Sequence, residues 1–184
     1  MARQLDEIVA ELEQARHHAE ALLAATPEGE FARRPAPGRW SVAECLDHLN
    51  LTTLIFLPLL DAALAEARQL PPAGARRFRR DLTGWLLCTM SEPPIRHRVA
   101  TTALFTPAQV GSRDEVRAAY QRLQGELIER VRRSDGLALD RVTIVSPFNA
   151  RIRYHAYSCF RVLAAHQRRH LWQAEQVQRM VRTA

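Results

Sequence analysis

The residues with the clearest chemistry lie in Ala165-His166-Gln167-Arg168-Arg169-His170-Leu171-Trp172. His166 and His170 are four apart, which on an α-helix puts two imidazoles on one face, one turn apart. Two such nitrogens can bind one metal ion at roughly 2.0–2.1 Å each. Cys159, Val162, His166, His170, Gln173 and Val177 share a helical stripe, while Arg161, Arg168, Arg169 and Arg179 lie off it. The pair therefore faces the less charged side, where a histidine needs a partner. A His-x-x-x-His pair is a weak signal alone. The Glu that a zinc-protease helix carries beside its first His is Gln167 here, which argues against that chemistry.

A third ligand has one good candidate. Trp40-Ser41-Val42-Ala43-Glu44 opens a helix, with Ser41 and Glu44 in capping-box spacing. Trp40 and Cys45 are placed to form a hydrophobic staple across that start. His48 lies near the second turn, on a mostly apolar stripe with Cys45, Leu51, Thr52, Ile55 and Leu59. It reads either as a core histidine satisfied by a hydrogen bond or as a metal ligand. Glu44, one turn earlier, could accept a hydrogen bond from a ligand imidazole or act as a general base. It could equally be no more than the cap partner of Ser41. His17 and His18 read as surface residues, and His97 carries little ligand weight. His155, placed in the last helix, stands eleven residues and about 16 Å from His166. It cannot share a metal with His166 but could lie deeper in the same groove.

Four main helices must position these groups. The first spans Leu5 to about Ala25, with Leu5, Ile8, Leu12, Ala15, Ala19 and Leu22 at 3–4 spacing. The second runs from Ser41 to about Leu70, with Pro58 expected to kink it or end its first half. A third starts at the capping pair Ser112/Glu115 and stops near Asp135-Gly136. The last is expected from about Arg151 to Val181. Residues 137–149 read as a loop, with no convincing strand series. The 73–111 excursion contains a short apolar segment, Leu82 to Met90, and an arginine cluster from Arg76 to Arg80. Connections of this length usually perform a function or cover something. The expected fold is all-α, an antiparallel four-helix bundle formed as a single domain over 1–184, a class that builds metal sites from facing helices.

Composition sets the outer limits. The 184 residues are enough for one domain with its own core. All 26 basic residues are Arg, and the formal net charge is +6. With no interleaved basic–aromatic motif, uniform arginine usage reads as a coding bias, and no specific nucleic-acid partner is expected. The three cysteines are far apart and form no CxxC, which fits free thiols in a reducing compartment. The amino-terminal segment lacks the apolar core of a signal peptide, and Leu49–Leu60 is too short and polar to span a bilayer. A cytoplasmic protein without a membrane partner is expected.

Trp40 through Leu49, together with Ala165 through Ala174, resembles the DinB-like (damage-inducible, YfiT-type) metalloprotein superfamily. The Trp-Ser opening, the His two turns later, the late His-x-x-x-His and the Ser146-Pro147 loop carry the resemblance. It implies up-down-down-up helices and a divalent metal (zinc, nickel, iron or manganese) held by His48, His166 and His170. It further implies either metal-dependent hydrolysis or transfer of a low-molecular-weight thiol to an electrophilic small-molecule substrate, and a homodimer. The alternative function is a non-catalytic metal-binding stress-response module. Nothing outside the triad identifies the thiol. Arg39, Arg151 and Arg153 are candidates for holding its carboxylate, while Cys45 and Cys159 read as small core hydrophobes.

Overall fold

The computed structural model describes residues 2–74, 77–94 and 101–183. Its elements are α1 (Arg3–Ala25), α2 (Glu28–Phe31), α3 (Val42–Arg68), α4 (Leu82–Ser91), α5 (Arg113–Arg133), β1 (Thr143–Val145), β2 (Arg153–His155) and α6 (Ala156–Arg182). A single 3₁₀ turn, Ala103–Phe105, lies before α5. His97 and Arg76 lie outside the described residues.

Four long helices form the bundle, with α1 and α3 each packed on α5 and α6. Side-chain ties give the directions. Gln4 reaches Tyr157, and Gln178 reaches Leu22, so α1 and α6 run parallel. Asn50 meets Val116, and Arg130 meets Asp61, so α3 and α5 also run parallel. Arg113 bonds the Leu23 carbonyl, and the Ala2 amide bonds Asp135, so α1 and α5 are antiparallel. His48 near the start of α3 meets His166 in the middle of α6, opposing those two helices. The result is up-down-down-up. Parallel α3 and α5 need a long crossover, which is what the excursion supplies.

The helix starts follow their sequence signals. Ser41 and Glu44 close a capping box on α3, and Ser112 and Glu115 do the same on α5. Pro58 leaves α3 continuous through Arg68. It lies on the exposed side, so the carbonyl it deprives of a partner, that of Leu54, faces water. By length and composition α3 could cross a membrane, yet its apolar stretch is mostly buried inside the protein.

Two expectations need correction. The last helix starts at Ala156, not near Arg151, and 137–149 is not all loop. Thr143–Val145 pairs antiparallel with Arg153–His155, Ile144 opposite Tyr154. Both of those side chains are buried in the core while their neighbours face out. Three residues per strand are too few for period-2 patterning to stand out from a loop. The hairpin ends in the helix: the Ala156 amide bonds Val142 and the Tyr157 amide bonds Leu139.

The core lies in two apolar blocks. One contains Leu5, Ile8, Phe56, Leu60, Leu127 and Phe160. The other contains Ala19, Leu46, Leu49, Tyr120, Leu171 and Val177. Between them runs a buried polar layer. Gln124 donates to the Thr53 hydroxyl at 3.2 Å, and Tyr120 donates to Gln167 at 3.0 Å. His48, His166 and His170 lie at this level.

Asp81 ties the excursion to the bundle. One carboxylate oxygen accepts the Gly84 amide at 2.8 Å, capping α4, and the other accepts the His155 amide at 2.7 Å. Its own amide reaches the Ser158 hydroxyl at 3.3 Å. Gly84 packs so tightly there that a Cβ would collide with Ser158. Asp81→Ala should cost about 1–3 kcal/mol through the lost cap and the amide left unpaired. Hydrogen exchange is the check: α4 amides should exchange much faster while those of α5 stay protected.

Candidate metal centre

Three side chains from two helices converge where α3 crosses α6. His48 is 2% exposed and His170 8% exposed, while His166 keeps partial access at the cavity wall. One potential donor atom from each lies within 4.8 Å of the others. The ring centroids stand 4.3–5.1 Å apart.

The tautomer of His48 follows from its partner. Its Nδ1 is 2.7 Å from the Phe105 carbonyl, which can only accept, so Nδ1 carries the proton. Nε2 is then left with a lone pair, and it faces His166 Nε2 at 3.3 Å. Two donors at roughly 2.05 Å from one tetrahedral ion stand about 3.3 Å apart. Nδ1 of His166 and of His170 are buried without a protein partner. This donor set fits a divalent metal, and a carbonyl oriented behind one ligand is the usual support for such a site.

The electrostatics keep the rings neutral. Burial lowers the proton affinity of His48, opposed in part by the Phe105 bond and aided by the Arg169 charge. Burial also pushes His166 and His170 well below the usual range, with the neighbouring rings and Arg169 adding to it. Neutral imidazole is the form that binds metal.

Aromatic rings seal the triad. Trp40 lies 4.8 Å from the His48 ring and 6.0 Å from that of His170. Phe148, stacked on Phe105 at 3.7 Å, lies 6.1 Å from His166. Above the rings opens a cavity of about 1070 Å³, walled by α6, by Leu87 and Met90 of α4, and by the hairpin segment through Phe148, Ile152 and Tyr154. Another depression, about 680 Å³ between α1 and α5, is lined by Glu13, Arg16, Glu20 and Arg117, which pair among themselves or with near neighbours.

The structure sorts the remaining candidates. Glu44 is buried, and its carboxylate accepts from the Ser41 amide at 2.8 Å, from the Ser41 hydroxyl at 2.9 Å and from both guanidinium arms of Arg34. Burial would raise its pKa, but these partners together hold it below the ordinary value. Its oxygens are thus engaged at the start of α3, and it is not among the cavity-lining residues. His155 is neither helical nor in the cavity lining: it ends β2, with Nδ1 3.6 Å from Asp81. The expectation that it extends the groove along the last helix is corrected with the helix boundary. His18 pairs with Glu175 at 2.8 Å on the far side of α6. Cys45 and Cys159 are free and fully buried, and burial pushes both thiols far up, as for core residues. Arg39 lines the cavity, whereas Arg151 and Arg153 are exposed outside it. Sequence reasoning missed the Phe105 carbonyl and the Phe148 wall. A backbone acceptor in an irregular segment leaves no side-chain signal.

Four helices in this order, with three histidines turned inward at one crossing, define a bundle built around a metal-ligand cluster. Residues 11–174 match the family model of the DinB superfamily, and the chain belongs to that family. A solved structure of YfiT from Bacillus subtilis, described as a probable metal-dependent hydrolase with an unusual four-helix bundle topology, is similar to it. That likeness has a TM-score of 0.65 at 14% identity, covering 97% of this chain and 88% of that one. No curated protein matches the sequence.

The neutral rings carry a pH signature. In the unfolded chain they take up protons below about pH 6.5, but the folded site refuses them. Folding stability of the metal-free protein is therefore full above that pH and is lost as pH falls below it. The loss approaches ~1.4 kcal/mol per pH unit for each ring that stays neutral. Urea midpoints at pH 7.5 and 5.5 should fall more in the wild type than in His170→Gln.

Proposed function

We propose that this chain is a metal-dependent enzyme acting on an electrophilic small molecule. His48, His166 and His170 would hold one divalent ion, zinc, nickel, iron or manganese. The carrying observation is that three neutral imidazoles converge at the floor of a large cavity. Among the described residues no fourth His, Cys, Asp or Glu joins them, which favours an open site over a closed structural one. The ion would supply Lewis acidity and lower the pKa of a water or low-molecular-weight thiol brought to an open position.

The chain's own residues supply the rest. The Phe105 carbonyl fixes the His48 ring and its tautomer. Trp40 and Phe148 keep bulk water from the ligand side. Arg169, whose guanidinium donates to the Met90 carbonyl, ties α4 to the triad and sets a positive charge beside the cavity. Three uncharged ligands leave a divalent ion's charge uncompensated, which suits an anionic nucleophile such as hydroxide or thiolate. The described function of YfiT supports the water route, and thiol transfer is the finer alternative. Glu44 serves as the anchor of α3, keeping His48 at the right height.

Elemental analysis of protein purified without a nickel column tests the centre. Near one metal per chain is expected in the wild type, with about tenfold less in His48→Ala and His166→Ala, since each loses a direct ligand. Ester hydrolysis and thiol conjugation to an alkyl halide, assayed on the same samples, should identify the route and fall with the metal. Single variants that keep stoichiometric metal would rule out this reading.

A further inference from the structure

The cavity changes character along its length. Its α6 wall runs from Val162 to Met180, about 27 Å of helix. On one side of the triad Phe56, Leu87, Val162 and Leu163 line it beside Thr52 and Asn149. On the other side Trp40, Trp172 and Val177 line it with Gln173 and Gln176, and it ends at Arg39. Among the described residues no Asp or Glu lines it.

Arg39 differs from most of the arginines here. It is half-buried, its terminal nitrogen lies 4.0 Å from the Met180 sulfur, and among the described residues it makes no ion pair. The other lining guanidinium, Arg169, sits about 16 Å back along the helix and already donates to the Met90 carbonyl. A lone guanidinium at the end of a groove matches one carboxylate in a two-point contact. The apolar side chains between Arg39 and the histidines, Trp172 and Val177 among them, give a hydrocarbon or aromatic tail a place out of water.

We propose that this cavity binds an elongated amphiphilic carboxylic acid lengthwise, with its carboxylate at Arg39 and its chain running along the α6 wall towards the histidines. This names the substrate class of the site above and rests on that reading for catalysis, though not for binding.

Metal-free protein is titrated by calorimetry with dodecanoate, dodecanol and dodecylammonium, each below its micelle concentration. Dodecanoate should bind at least about tenfold tighter than the other two, the usual scale of a charge-assisted pair. From octanoate upwards affinity should rise about fourfold per methylene, as for a CH₂ leaving water. Arg39→Gln should remove about tenfold for dodecanoate and leave dodecanol within about twofold. Gln173→Trp, on the wall between Arg39 and the histidines, should block the path of the chain and abolish the gain from longer acids. His166→Ala should still bind dodecanoate, so that loss of the metal and loss of the ligand are read separately. Equal affinity for acid and alcohol, an unchanged Arg39→Gln variant, or no binding by any of the three would overturn the proposal.

Discussion

The antiparallel crossing of α3 and α6 is the constraint on which the rest depends. It alone brings His48 level with His166 and His170. The buried polar layer holds it there. Gln124 with Thr53, and Tyr120 with Gln167, are paired only in this register. Sliding one helix by a turn would leave those groups in an apolar block, at about 1–3 kcal/mol for each one stranded. Apolar stripes alone tolerate slippage far better, because one leucine substitutes for another. The polar layer thus fixes the geometry of the donors as well as filling the core.

That geometry is completed by segments outside the helices. The crossover between parallel α3 and α5 has to be long, and the protein uses its length. Phe105 supplies the carbonyl that orients His48, and α4 supplies a cavity wall. Asp81 locks α4 to the start of α6 by accepting one amide from each. The hairpin that delivers the chain into α6 places Phe148 against the histidine layer. Each irregular segment is held by hydrogen bonds to a regular one.

How much of this could be read beforehand followed the strength of each local signal. Ser41/Glu44 and Ser112/Glu115 marked two helix starts because the capping box is a local pairing with a fixed three-residue offset. His166 and His170 could be set on one face because helical periodicity is local too. The approach of His48 rested on family resemblance, since pairing of α3 with α6 is non-local. The hairpin escaped because β1 and β2 have three residues each. Its existence depends on Ile144 and Tyr154 finding a core whose other residues lie far off in sequence. Glu44 shows a different limit. Its type and position suit a base or a cap equally, and only the arrival of Arg34 and both groups of Ser41 shows how fully its oxygens are occupied.

This division has a consequence for specificity. The three histidines come from α3 and α6, where long helices and a polar layer resist change. The cavity above them shares the α6 wall, but the rest of its rim comes from elsewhere: from α4, from Thr101 and Thr102, from the hairpin, and from Arg39 and Trp40 in the loop before α3. Those segments are short and weakly patterned, and none of them carries the polar pairs that set the register of the bundle. A bundle built this way can keep its histidine cluster while altering what lies above it. The cluster is therefore the legible part of such a sequence. The substrate has to be read from the shape and charge of a cavity that forms only when the chain has folded.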